Sequence, residues 1–153
     1  MTFCLDRAGL VGEDGPTHHG VFDIAYLRHI PKLTVMAPAT PEELKAMLEF
    51  AISLNAPSAI RYPKGGSSLE KAPTLPIALG KAEVLKDGKD IAIISIGVMA
   101  EFAVEIADIL AKKKINAMVV NARFVKPLDE GLLADIFGRI KKAVTIEDGV
   151  LDG

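Results

Sequence analysis

Apolar residues along the chain gather into short runs separated by stretches in which they recur at helical spacing. Residues 2–6, 33–37 and 58–62 form three short apolar runs that predict strands, and residues 22–29 and 41–54 predict helices between them. The second helix carries its own start signal: Thr40 as cap, Pro41 in the first turn, and Glu42 and Glu43 where the helix dipole is positive. Strands alternating with helices imply a parallel sheet with right-handed crossovers. After residue 80 the pattern predicts strands at 81–85 and 91–96, a helix at 100–113, a strand at 117–121, a helix at 128–140 and a strand at 143–146. Asp87 and Gly88 between the first two of these strands predict a hairpin.

The segment from Pro63 to Pro76 breaks this periodicity. Its glycines, serines and prolines read as punctuation between two units, residues 1–66 and 80–153, with 67–79 as linker. The expected fold is α/β, with two incomplete modules built on mainly parallel sheets. Nothing repeats internally. Residue 97 is a lone glycine after a strand, and the fuller G-x-G-x-x-G pattern is absent, so no dinucleotide site is predicted.

Composition narrows the partners. The chain has 153 residues, half of them hydrophobic, with a net charge of −2, which leaves no basic footprint for nucleic acid. Lys112, Lys113 and Lys114 read as the solvated end of a helix. No apolar run is long enough to span a membrane, and residues 1–5 have neither the charged start nor the length of a signal peptide. The single cysteine, Cys4, rules out an internal disulfide and fits a reducing cytoplasm; its apolar run predicts a packing role.

One segment is too polar and too rich in glycine to be core. DRAGLVGEDGPTHHGVFDIAYLRHIP, residues 6–31, brings Arg7, Asp14, His18 and His19 together with Gly9, Gly12, Gly15 and Gly20. A guanidinium fork suits phosphate or carboxylate, a carboxylate accepts hydroxyl hydrogens, and imidazoles transfer protons near neutral pH. This set fits a phosphorylated, hydroxylated small molecule. Taken singly, each residue has a structural reading too: Asp6 and Arg7 as a surface pair, Asp14 or Thr17 as a helix cap, His18 as a locally bonded ring. Adjacent histidines point apart and no cysteine or carboxylate cluster completes a ligand set, so no metal site is predicted. In open parallel sheets ligands sit beyond the carboxyl ends of strands, where both the Arg7 loop and Arg61 are expected.

Together with MAPATPEEL at 36–44, IRYPKG at 60–65 and ARFVKPLDE at 122–130, this segment resembles the 1-deoxy-D-xylulose 5-phosphate synthases, and the resemblance runs through the whole chain. Transketolase and the beta chain of 2-oxoacid dehydrogenases share a looser form of the motifs. The resemblance implies part of a transketolase-like pyrimidine-binding domain followed by part of a transketolase C-terminal domain. It implies condensation of pyruvate with glyceraldehyde 3-phosphate, with thiamine diphosphate and Mg²⁺, in a cytoplasmic homodimer that supplies isoprenoid precursors and thiamine. By the same resemblance Arg7 and Arg61 hold the acceptor's phosphate, Asp14 contacts its hydroxyls and His18 faces the reacting carbons. His19 stands where glutamine is common, which leaves its role open; Tyr62, Lys64 and His29 are adjacent candidates.

The residues that anchor the cofactor diphosphate in these synthases, and the glutamate that activates it, lie upstream of the DRAG motif. The chain is therefore expected to be a fragment, inactive alone and without tight binding of the cofactor. The alternatives are a 2-oxoacid dehydrogenase beta chain or a transketolase, or a non-catalytic assembly module that pairs its exposed sheet edges with another chain.

Overall fold

In the computed structural model, which describes residues 1–67, 69 and 76–151, eight strands form two four-stranded sheets. Of the expected linker, residues 68 and 70–75 lie outside the described residues.

The first sheet has β1 (Thr2–Leu5), β3 (Ser58–Arg61) and β2 (Thr34–Met36) in parallel, in that order, as the alternating pattern predicts. Two helices connect them, α1 (Asp23–Leu27) and α2 (Pro41–Ser53). The start of α2 follows its sequence signal closely: the Thr40 hydroxyl accepts the Glu43 N–H at 3.1 Å, which satisfies a donor that the first turn leaves orphaned. The helix then buries Met47 and Ala51 against Met36, Ile60 and Phe124.

The second sheet has the order β4 (Glu83–Lys86), β6 (Ala117–Asn121), β5 (Ile91–Ser95), β8 (Ala143–Ile146). Alternate residues serve opposite faces. Ala92, Met118 and Val120 meet Ile136 of α4 (Glu130–Arg139), whereas Ile93, Ala117 and Val119 meet Ala103 and Ala107 of α3 (Met99–Lys112). Helices on both faces explain why β6 is buried throughout and reads as apolar from Ala117 to Val120.

Three expectations need correction. The hairpin at Asp87 and Gly88 does not form: β4 pairs antiparallel with β6, and β5 lies on the other side of β6. The connection instead crosses the start of β6, with the Lys89 and Asp90 N–H groups donating to the Asn116 carbonyl. Gly88 fits so tightly there that a Cβ would stand 2.3 Å from the Ala117–Met118 backbone. Cys4 is exposed rather than packed, because β1 is an edge strand. The third correction concerns a strand with no sequence forecast, β7 (Phe124–Lys126), which leaves the second unit and adds antiparallel to β2 of the first sheet.

That added strand seats the two units against each other. Lys126 Nζ donates to the Arg28 and Ile30 carbonyls at 3.0 and 2.7 Å, closing the end of α1. Ile24 and Ala37 pack with Ile96, Ala122 and Val125 across the junction. Beside them, Arg123 is buried between Glu43 of α2, 2.7 Å from its Nε, and Glu83 of β4. Asn121 supports the same Glu43 carboxylate through Nδ2 at 3.1 and 3.2 Å, and the Ala39 N–H donates to it at 2.6 Å.

Candidate functional site

The polar loop starts directly after β1 and is pinched at its neck. The Gly9 N–H donates to the Gly20 carbonyl at 3.0 Å, and the Gly20 N–H donates to the Arg7 and Gly9 carbonyls at 3.0 and 2.9 Å. A Cβ on Gly20 would stand 2.5 Å from the Arg7 carbonyl oxygen, so only glycine lets the two sides of the neck close. The neck is tied to the sheet through the Ala8 N–H, which donates to the Tyr62 carbonyl at 3.0 Å. Between its ends the loop forms two single 3₁₀ turns, Gly12–Asp14 and Pro16–His18, in place of a longer helix.

Arg7 and Asp14 meet as the sequence suggested. Arg7 takes a left-handed backbone, φ +60°, and its Nε donates to Asp14 Oδ2 at 2.7 Å while Nη1 pairs with Asp6. Lys64, from the loop after β3, donates to the other Asp14 oxygen at 2.6 Å. Asp14 therefore bridges two cations. The Lys64 bond, followed by the Arg7 bond, holds its carboxyl down at about 2. The Arg7 guanidinium is correspondingly raised, first by the Asp14 bond and then by the charge of Asp6. The pairs lie toward solvent, with Arg7 and Lys64 side chains 36% and 51% exposed, so a ligand anion can compete for them.

His18 is exposed on the same loop, its Nδ1 3.2 Å from the Thr17 hydroxyl. His19 serves the loop itself. Its Nδ1 accepts the Val11 N–H at 3.1 Å, which fixes the tautomer with the proton on Nε2 and ties the two ends of the loop. His29 is exposed just past α1, and the Tyr62 ring packs at the margin of the α2 core, where burial above all raises its phenol pKa.

Arg61, the last residue of β3, stands apart from this open cluster. Its side chain is 1% exposed. Nη1 donates to Asp148 at 2.5 Å, Nη2 donates to the Gly20 carbonyl at 3.1 Å, and Nε lies 2.9 Å from Asp23 Oδ1. Burial pulls the guanidinium pKa down, but the Asp148 bond and the charges of Asp148 and Asp23 outweigh it and leave it raised. Asp148 comes from the loop after β8, so the second unit reaches into the first. Neither Asp23 nor Asp148 carried a sequence signal, although Asp23 falls within the polar segment; Lys64 shares the IRYPKG motif with Arg61.

No group of three or more His, Cys, Asp or Glu side chains placed to hold a metal ion occurs among the described residues. The clustered carboxylates Asp14, Asp23 and Asp148 are each paired with Arg7, Lys64 or Arg61. These residues do not fit a Mg²⁺-bound diphosphate. No helix among the described residues is long and apolar enough to cross a membrane.

A parallel sheet carrying a polar loop at its carboxyl ends, followed by a second α/β unit, is matched along its length by two family models of one enzyme class, the transketolases. The family model "Transketolase, pyrimidine binding domain" matches residues 1–68, and "Transketolase, C-terminal domain" matches residues 80–153. The chain belongs to this transketolase-like, thiamine diphosphate-dependent transferase family. Within it, the chain is similar to proteins named 1-deoxy-D-xylulose-5-phosphate synthase. It is 52% identical to the synthase of Gloeobacter violaceus over 96% of this chain and 24% of that protein, and 47% identical to that of Clostridium acetobutylicum over 100% and 25%. The chain thus spans about a quarter of the length of these relatives. Among solved structures, a "Split gene transketolase, inactive beta4 tetramer" superposes with a TM-score of 0.89 at 30% identity, covering 99% of this chain and 50% of that one.

Proposed function

We propose that the chain supplies the acceptor-phosphate part of a synthase that joins pyruvate to D-glyceraldehyde 3-phosphate, giving 1-deoxy-D-xylulose 5-phosphate and CO₂. The observation that carries this reading is the convergence of Arg7 and Lys64 on Asp14 at the open end of the first sheet. In it, Arg7 and Arg61 bind the phosphate, Asp14 accepts hydrogen bonds from the aldehyde's hydroxyls, and His18 handles a proton near the reacting carbons. Thiamine diphosphate, held with Mg²⁺ elsewhere in the complete synthase, supplies the electron sink for decarboxylation. This chain's residues position the acceptor, and positioning is a large part of the rate in a two-substrate reaction.

On this reading the chain alone has no synthase activity and no tight site for the cofactor. The split-gene transketolase of the same fold is likewise described as inactive. We place the complete enzyme in the cytoplasm as a homodimer, serving isoprenoid precursor and thiamine synthesis. An assembly role is the second reading, favoured by the exposed apolar residues Phe3 and Val144 on the edge strands β1 and β8.

The test is Arg7→Lys in a complete synthase carrying this segment. Replacing a fork by a point charge should lower kcat/KM for the aldehyde roughly ten- to hundredfold, from the ~1.5–3 kcal/mol of a charge-assisted bond, and leave pyruvate decarboxylation unchanged. An unchanged kcat/KM for the aldehyde removes Arg7 from the phosphate site.

A further inference from the structure

The charges around Arg61 do not suit a further anion. One buried guanidinium already faces two carboxylates, Asp23 and Asp148, so the group is net negative before any ligand arrives. A phosphate could join it only at the cost of placing a third anion in a dry site. One of the carboxylates would have to leave.

The two are not held alike. Asp23 is buried at the start of α1 and its Oδ1 also accepts the Ile24 N–H at 2.8 Å. Asp148 is more exposed and lies in an irregular segment beyond β8, where its carboxylate is held by the hydrogen bond from Arg61. That carboxylate also occupies space left open by glycine. A Cβ on Gly9, which has φ +71°, would stand 2.7 Å from Asp148 Oδ2. The grip on Arg61 is incomplete as well, because the buried Nε–H has no aligned acceptor although Asp23 is near.

We propose that the Asp148 carboxylate is a resident stand-in for phosphate, occupying Arg61 Nη1 beside Gly9 until the phosphate of the acceptor sugar displaces it. This rests on the reading of Arg61 as a phosphate ligand. Asp148 keeps the guanidinium correctly aimed while the site is empty, and turns toward solvent on exchange. The second unit thereby sets how tightly the first binds substrate.

Calorimetric titration of the 153-residue chain with glycerol 3-phosphate tests this. Asp148→Asn removes the competing charge and keeps the side chain's size, so it should bind the probe at least about threefold more tightly than the unaltered chain, since a neutral amide competes less well for a guanidinium than a carboxylate does. Arg61→Lys should weaken binding in both backgrounds. Equal or weaker binding by a folded Asp148→Asn chain overturns the exchange, while the phosphate reading survives if Arg7→Lys and Arg61→Lys still lose affinity. Absence of binding in both the unaltered and Asp148→Asn chains overturns the phosphate reading and the exchange with it. A second measurement covers an Asp148→Asn chain that fails to fold: the Asp148 carboxyl ¹³C resonance of the unaltered chain should move on titration, and a fixed resonance overturns the proposal.

Discussion

Two arginines in this molecule look alike and are used differently. Arg123 and Arg61 are both buried, and each is gripped by two carboxylates drawn from both units. Around Arg123 the enclosure is complete: the side chains of Glu43 and Glu83 are 3% and 4% exposed, and Asn121 and the Ala39 N–H take up further lone pairs on Glu43. Around Arg61 one carboxylate, Asp148, sits at the margin, beside glycines and at the foot of an open polar loop. A buried ion pair that is saturated on every side acts as a clasp. The same pair with one side open to solvent is a place where a ligand can enter.

The largest effect should come from the clasp. Arg123→Met leaves Glu43 and Glu83 buried without their cation and should cost about 3–5 kcal/mol, read as a lower urea midpoint. Arg61→Met should cost less, because Asp148 can turn to water while Asp23 stays enclosed. If Arg61→Met proves the more damaging, the distinction between clasp and site fails.

Gly9→Ala should sharpen the contrast. The new methyl would press on Asp148 and the residue would be held in a left-handed backbone, which costs about 1–2 kcal/mol for a side-chain-bearing residue. Adding Asp148→Ala should return part of that loss without restoring all of it. The Arg123 clasp should not register the change, and additive stabilities of Gly9→Ala with Glu83→Gln would check this.

The smallest effect concerns the exposed pair. Asp14 has its carboxyl lowered from 3.8 to about 2, so it binds a proton more weakly folded than unfolded. Its contribution is therefore fully present above about pH 4 and disappears as the pH falls through about 2. Following the Asp14 carboxyl ¹³C shift against pH gives the midpoint directly. A midpoint near the ordinary carboxylate value of about 4 would mean that Lys64 and Arg7 do not hold it in solution.

How far the sequence reaches depends on distance along the chain. The start of α2 was legible because Thr40, Pro41 and Glu43 act on one another within a turn. Strands β6 and β8 were legible as apolar runs with the bounds they have in the fold. The false hairpin arose because turn chemistry at Asp87 and Gly88 is local, whereas the choice of β6 as neighbour to both flanking strands is made by the whole sheet. Cys4 was misjudged for a similar reason, since an apolar run does not say whether its strand is covered. In the loop, Arg7 and Asp14 lie seven residues apart and their meeting could be expected. The grip of Asp148 on Arg61 spans 87 positions and joins separate units, and nothing near either residue announces it. His19 is a case of missing geometry: only the fold reveals that its ring nitrogen serves a backbone N–H.

The strand β7 carries a consequence for how the chain is made. Val35 and Met36 obtain their antiparallel partners only from Lys126 and Phe124, so that edge of the first sheet stays bare while most of the second unit is still being synthesised. Pairings this distant in sequence form late, because the intervening chain must be ordered before they can reward it. During that interval β2, whose residues are fully enclosed in the finished molecule, is a template on which another nascent chain can dock. Release before Phe124, by stalled translation or by proteolysis, would leave the bare edge as a permanent adhesive.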